Sequence, residues 1–186
     1  MSDQVNDDIP VLDDIPDLEI PDIDLEDFDI PDEEETAVED ESGGSQVFAW
    51  IGSGQGGGRI AKAFYDRGYK KCIAVNTSYH DLDTLDIPIE QRLLLDVGEQ
   101  GAGKDMEKGY AAANKYKQHI FDLMRKTYGN NVDHLFVCVG AGGGSGSGSS
   151  LVLIDIAKKY MKYVGHDNPD ERVGVVMSLP TRGEAS

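Results

Sequence analysis

Apolar and polar positions follow two different patterns along the chain, and the change comes near residue 46. Before it, single Ile, Leu, Val and Phe residues stand between acids. A short unit recurs there as Asp8-Ile9-Pro10, Asp14-Ile15-Pro16, Glu19-Ile20-Pro21 and Asp29-Ile30-Pro31. Isolated apolar residues cannot bury a core, and proline every few residues interrupts helices and removes ladder donors, so residues 1–46 are predicted to form a disordered tail. Ser42-Gly43-Gly44-Ser45 reads as its flexible hinge. From Val47 onward strands and helices alternate. Apolar runs at Val47–Ile51, Cys72–Val75, Leu93–Val97, Leu135–Val139 and Val173–Leu179 predict five strands. A helix is predicted after the first, with Ile60, Ala61, Ala63 and Phe64 on its inward face and Gly68 at its end. The longest helix is expected where Met106, Tyr110, Ala113, Lys117, Ile120 and Met124 recur at steps of four and three, and another from about Ser149 to Val164. This alternation specifies an α/β domain over 47–186, a Rossmann-like three-layer parallel sheet with helices on both faces.

Charge sharpens the boundary. Residues 1–46 hold 19 acids and neither Lys nor Arg, so the remaining 140 residues carry 16 acids against all 17 bases. The formal charge of −18 therefore belongs to the tail, which repels nucleic acid, while the domain is close to neutral. The tail reads as a solvating spacer or, through Ile9, Ile15, Ile20 and Phe28, as short motifs that dock on a basic, apolar groove of a protein partner. Cys72 and Cys138 lie inside apolar runs, as reduced core thiols do. The N-terminus does not have the form of a signal peptide, and no run approaches the ~18 apolar residues of a membrane span, so a soluble, cytoplasmic protein is expected. His80, His119, His134 and His166 show no paired ligand spacing.

The chemistry lies in glycine. Gly52-Ser53-Gly54-Gln55-Gly56-Gly57-Gly58 follows the first strand, and Gly140-Ala141-Gly142-Gly143-Gly144-Ser145-Gly146-Ser147-Gly148 follows the fourth. A strand that ends in glycines and opens a helix presents backbone N–H groups and the positive helix end to an anion. Two such loops at the carboxyl ends of parallel strands converge on one edge of the sheet. Gly52 to Gly57 also satisfies the dinucleotide fingerprint, but that reading needs an acid closing the second strand, where Asn76-Thr77-Ser78 stands. Gly98 to Asp105 nearly spells a P-loop, with Asp105 where the metal-binding hydroxyl belongs.

Gly142 to Gly148 resembles the signature loop of the tubulin/FtsZ family. Gly54 to Gly58, followed by Arg59-Ile60-Ala61, resembles that family's first phosphate loop. Ile73-Ala74-Val75-Asn76-Thr77 is similar to a run of FtsZ, and Gly101-Ala102-Gly103 to the loop facing the γ-phosphate. Val173-Gly174-Val175-Val176 resembles the strand after the signature helix, and Glu184 lies four residues past Pro180, as the family's ribose-binding Glu does. The resemblance implies that GTP or GDP, with Mg, is held by Gly54, Gln55, Gly56, Gly57, Gly58, Asn76, Gly101, Ala102, Gly103, Gly142, Gly143, Gly144, Ser145, Gly146, Ser147, Gly148 and Glu184. The family's metal-side Asp is replaced by Ser78, so the metal is expected to be held by water and phosphate alone or by Asp81. The resemblance also implies head-to-tail filaments, with GTP hydrolysed by acids from a neighbouring subunit's second half. That half lies beyond Ser186, so no catalytic residue is expected within this chain, which alone should be inactive. A non-polymerising GTP-binding scaffold that recruits partners through its tail is the alternative, and a dinucleotide-binding protein a remote one.

Overall fold

One sheet of five parallel strands, β1 (Phe48–Ser53), β2 (Cys72–Asn76), β3 (Arg92–Leu94), β4 (His134–Gly140) and β5 (Val173–Ser178), has the order β3-β2-β1-β4-β5. The helices are α1 (Gly54–Tyr65), α2 (Tyr79–Asp83), α3 (Met106–Lys115), α4 (Lys117–Tyr128) and α5 (Gly144–Tyr163). This computed structural model describes residues 23–31, 38, 45–98 and 101–181.

Successive strand residues point to opposite faces, and the sequence uses both. Ala49, Ile51, Ile73, Val75, Leu135, Val137 and Val139 face α3, α4 and α5, where they join Ala113, Ile120, Phe121, Met124, Leu153 and Ile156 in the main core. Trp50, Cys72 and Cys138 point the other way, toward Ile60 and Phe64 of α1. There the Trp50 ring stacks on Phe64 at 3.5 Å and on Phe136 at 4.6 Å between centroids. A sheet covered on both faces is the three-layer architecture that the alternation of elements predicts.

Three elements differ from the sequence reading. The long helix turns at Tyr116, between α3 and α4, although neither Pro nor Gly stands there and the Tyr116 and Ile120 amides still donate four residues back. The third strand is shorter than expected: its register runs from Arg92 to Leu94, the Leu95 amide still donates to the Asn76 carbonyl, and the Gly98 amide then donates to the Asp96 carboxylate. Helix α5 begins at Gly144 rather than near Ser149, so much of the second glycine cluster is helical.

The larger correction concerns the tail. Residues 23–31 lie on the domain, with Ile23 and Phe28 buried in the main core. Phe28 stacks on Phe121 of α4 at 4.2 Å, supplying an aromatic contact that isolated apolar residues in a disordered tail would lack. The tail reading therefore fails at this segment, whereas Ile9, Ile15 and Ile20 lie outside the described residues.

Candidate nucleotide-binding site

The strand order places the site. The chain runs β1, β2, β3 toward one edge, then returns to put β4 on the other side of β1 and β5 beyond it. The crevice outside the carboxyl ends of β1 and β4 is thus the switch point of the sheet, where open α/β folds bind ligands. Both glycine clusters emerge there: Gly54 opens α1 directly after Ser53, and Gly144 opens α5 a few residues after Gly140.

The two helix starts are pressed together. Gly54 has φ +68°, and a side chain there would also lie 2.9 Å from the Gly146 amide nitrogen. A Cβ on Gly146 would meet the carbonyl oxygens of Gly140 and Ser53 at 3.0 and 3.1 Å. Glycine is therefore what allows the first turns of α1 and α5 to share one mouth. The leading N–H groups of a helix have no acceptor within it, and neither helix carries an acid in its first turn. The mouth is electropositive without needing a single ionised side chain.

Hydroxyls tie the loops to each other. Thr77, buried just past β2, shares a 2.6 Å hydrogen bond with the Ser145 hydroxyl, and its oxygen accepts the Ala102 amide at 2.8 Å. One side chain so joins the loop after β2, the Gly101–Gly103 loop and the start of α5. Ser53 and Ser149 share a second buried bond of 2.6 Å. Asp105, which spoils a P-loop, is the N-cap of α3 and accepts from the Lys108 amide at 3.1 Å.

A cavity of about 520 Å³ opens at this mouth. Of the residues expected at a nucleotide site, Gly54, Gln55, Gly56, Asn76, Gly103 and Gly142 to Gly146 line it. Gly57, Gly58, Gly101, Ala102, Ser147 and Gly148 do not. Gly57 and Gly148 instead allow close helix packing, since a Cβ would lie 2.1 Å from the Cys138 carbonyl oxygen and 2.0 Å from that of Met106. The Ser147 hydroxyl donates to Gly140 and Ala141 carbonyls, and Glu184 lies outside the described residues. Lys104, Ser178, Leu179 and Pro180 also border the cavity, positions that sequence reasoning missed. A lysine directly after Gly103 was the available signal.

Asp81 is the carboxylate among the lining residues, held 3.4 Å from Asn76 Nδ2. Among the described residues no three His, Cys, Asp or Glu side chains cluster to hold a metal.

Residues 47–165 match the model of the tubulin/FtsZ family GTPase domain. The chain belongs to that family. Among solved structures it is similar to CetZ1 of Haloferax volcanii, a GDP-bound monomer, at 32% identity and TM-score 0.61, over 75% of this chain and 43% of that one. It is also similar to CetZ2 of the same organism in a GTPγS-bound protofilament, at 27% identity and TM-score 0.53, over 71% and 39%. TubZ of Clostridium botulinum phage c-st, truncated at its C-terminal tail, matches at 26% identity and TM-score 0.55, over 72% and 41%. No curated protein sequence matches. Measured on these relatives, the tubulin/FtsZ-like chain spans about two fifths of their length. No helix among its described residues is long and apolar enough to cross a membrane.

Proposed function

We propose that the domain binds GTP and GDP with magnesium, the phosphates seated where the first turns of α1 and α5 meet. The convergence of two glycine-built helix starts at the switch point carries this reading, because that geometry concentrates N–H donors on one anion. Gly54, Gln55, Gly56, Gly142, Gly143, Gly144, Ser145 and Gly146 would hold the phosphates, Lys104 would add a cation, and Asp81 would be the carboxylate available to the metal. The choice of guanine rests on family membership and on relatives described with GDP and GTPγS. The cofactor supplies the phosphoanhydride that is cleaved; this chain's part is to bind and orient it.

In the whole protein we assign head-to-tail assembly in the cytoplasm, with hydrolysis completed by acids of the next subunit. Protofilament relatives support that reading. A heterologous interface of this kind grows into open filaments. The deciding measurement is calorimetric titration of the 186-residue chain with GTP, GDP, ATP and NAD in magnesium buffer. Saturable binding of GTP and GDP alone is expected. Binding of NAD, or of no nucleotide by a folded chain, would overturn the reading. Light scattering with GTP on the whole protein separates a polymer from the non-polymerising scaffold.

A further inference from the structure

The docked N-terminal segment is held in a way that resembles ligand recognition more than core packing. Residues 23–31 run along α4 in its own direction, with Asp27 at Lys117, Asp29 at Gln118 and Pro31 at Arg125. Val38 continues that path by donating its amide to the Thr127 carbonyl at 3.1 Å.

Two apolar anchors enter the core, Ile23 and Phe28, and the acids between them stay exposed. Around the anchors the polar contacts address the segment's backbone. The Gln118 side chain accepts the Asp29 amide at 3.0 Å and donates to the Asp29 carbonyl at 3.1 Å, the paired contact an edge strand would make. Arg125, only 4% exposed, donates to the Pro31 carbonyl at 3.2 Å while its guanidinium lies over Tyr163 of α5. Cations border the groove on both helices, with Lys117 at 3.4 Å from Asp27 and Lys159 at 3.8 Å from Asp24. Backbone clamps, a slot for two anchors and flanking lysines together fit a short acidic peptide that makes one 3-10 turn at Leu25–Asp27.

We propose that the groove between α4 and α5 is a peptide-recognition site whose ligand is the segment Ile23–Pro31, taken in cis within one chain and in trans from a second copy. The repeated unit occurs three times as Asp-Ile-Pro and once as Glu-Ile-Pro in the N-terminal region, but an aromatic residue precedes it only at Phe28, which singles out this copy as the ligand. The connection to β1 keeps the segment near its own groove at an effective concentration of order mM, so exchange between chains follows release in cis. The site is separate from the cavity at the ends of β1 and β4, and the inference stands independently of the nucleotide assignment.

The test uses the full chain carrying Ile23→Asp and Phe28→Asp, which empties the groove, and a fluorescent synthetic peptide of residues 22–32. Fluorescence anisotropy is expected to show saturable binding to this variant. Wild-type chain should bind at least about tenfold more weakly because its groove is filled. Adding Gln118→Ala to the variant should weaken binding by a similar factor, and raising salt should weaken it further. No saturable binding to a folded variant at peptide concentrations up to about 1 mM would overturn the proposal. Should the doubly substituted chain fail to fold, hydrogen exchange on the wild-type chain decides. A releasable segment exchanges its Asp29 amide at least about 100-fold faster than the core amides of β1 and β4. Equal rates would mean that the segment leaves only on global unfolding, which refutes it.

Discussion

Gly143→Asp separates the electrostatics of the proposed phosphate site from its packing. Gly143 is the N-cap of α5 with φ −116° and ψ 151°, an ordinary extended conformation, and a Cβ built there meets nothing within 4 Å. The new side chain therefore enters the cavity without strain. Asp is a favoured N-cap, so the unliganded fold should be unchanged or more stable by a few tenths of a kcal/mol. A bound phosphate would feel the opposite. Two like unit charges about 6 Å apart repel by about 3 kcal/mol at an effective dielectric of about 20, roughly a hundredfold in affinity. The assay is anisotropy of a fluorescent GDP analogue, alongside thermal melts without nucleotide. Gly143→Ala serves as the size control and should bind within a few-fold of wild type, and the deficit of the Asp variant should shrink as salt rises. Wild-type affinity in a folded Asp variant, or equal loss in the Ala variant, would refute the reasoning.

The neighbouring glycine should behave differently. In Gly144→Ala the Cβ would lie 2.6 Å from both the amide nitrogen and the carbonyl oxygen of Asp105, so a loss of about 1–3 kcal/mol of stability is expected by thermal melt, whatever happens to binding. Thr77→Val keeps the side chain's shape but leaves the buried Ala102 amide without its acceptor, and should cost about 1–3 kcal/mol, seen as a lower denaturant midpoint with unchanged slope. Burial pushes the Cys138 thiol up to about 12, so alkylation at pH 8 should be negligible in the native chain and fast in denaturant. Asp27 is held below its ordinary 3.8 by the Asp24 amide and by Lys117, so its share of the docking is fully present above 3.8 and is lost as pH falls through the lower folded value. Exchange of the Asp29 amide followed into acid should show that loss, and Asp27→Asn should flatten it.

The layers of the fold were legible because apolar runs and glycine clusters are local signals. Each strand announced itself within five residues, and the two glycine loops marked the same sheet edge once the strands were taken as parallel. The hydroxyl links were not legible, since Thr77 and Ser145 are 68 positions apart and nothing in either neighbourhood specifies the other. Likewise, a glycine that lines the cavity and one that relieves helix packing look alike in sequence; Gly56 and Gly57 are adjacent yet do these different things. Lys117 is visible in the sequence as a charge on the apolar stripe of the long helix. The ion it pairs with came from a segment read as disordered.

That misreading has a physical origin, because averaging charge over 46 residues hides two anchors. Phe28 is the sole aromatic residue before Phe48, and one ring stacked on Phe121 is enough to hold a short acidic stretch that average composition assigns to solvent. The charge arithmetic changes with it. Residues 47–186 carry 17 bases and 16 acids, a net of +1, and the docked segment adds Asp24, Glu26, Asp27 and Asp29, which takes the assembled body to −3. The N-terminal region therefore does more than carry repelling charge, since part of it is packed into the domain. Truncation at residue 46 would remove its charge and at the same time bare Phe121 and the buried guanidinium of Arg125. Charge repulsion is screened over about 8 Å at physiological salt, whereas an exposed apolar slot is not, so the two effects of such a truncation respond differently to salt. Truncation at residue 22 keeps the docked segment and removes charge alone, which makes it the cleaner probe of electrostatic repulsion between copies of this chain.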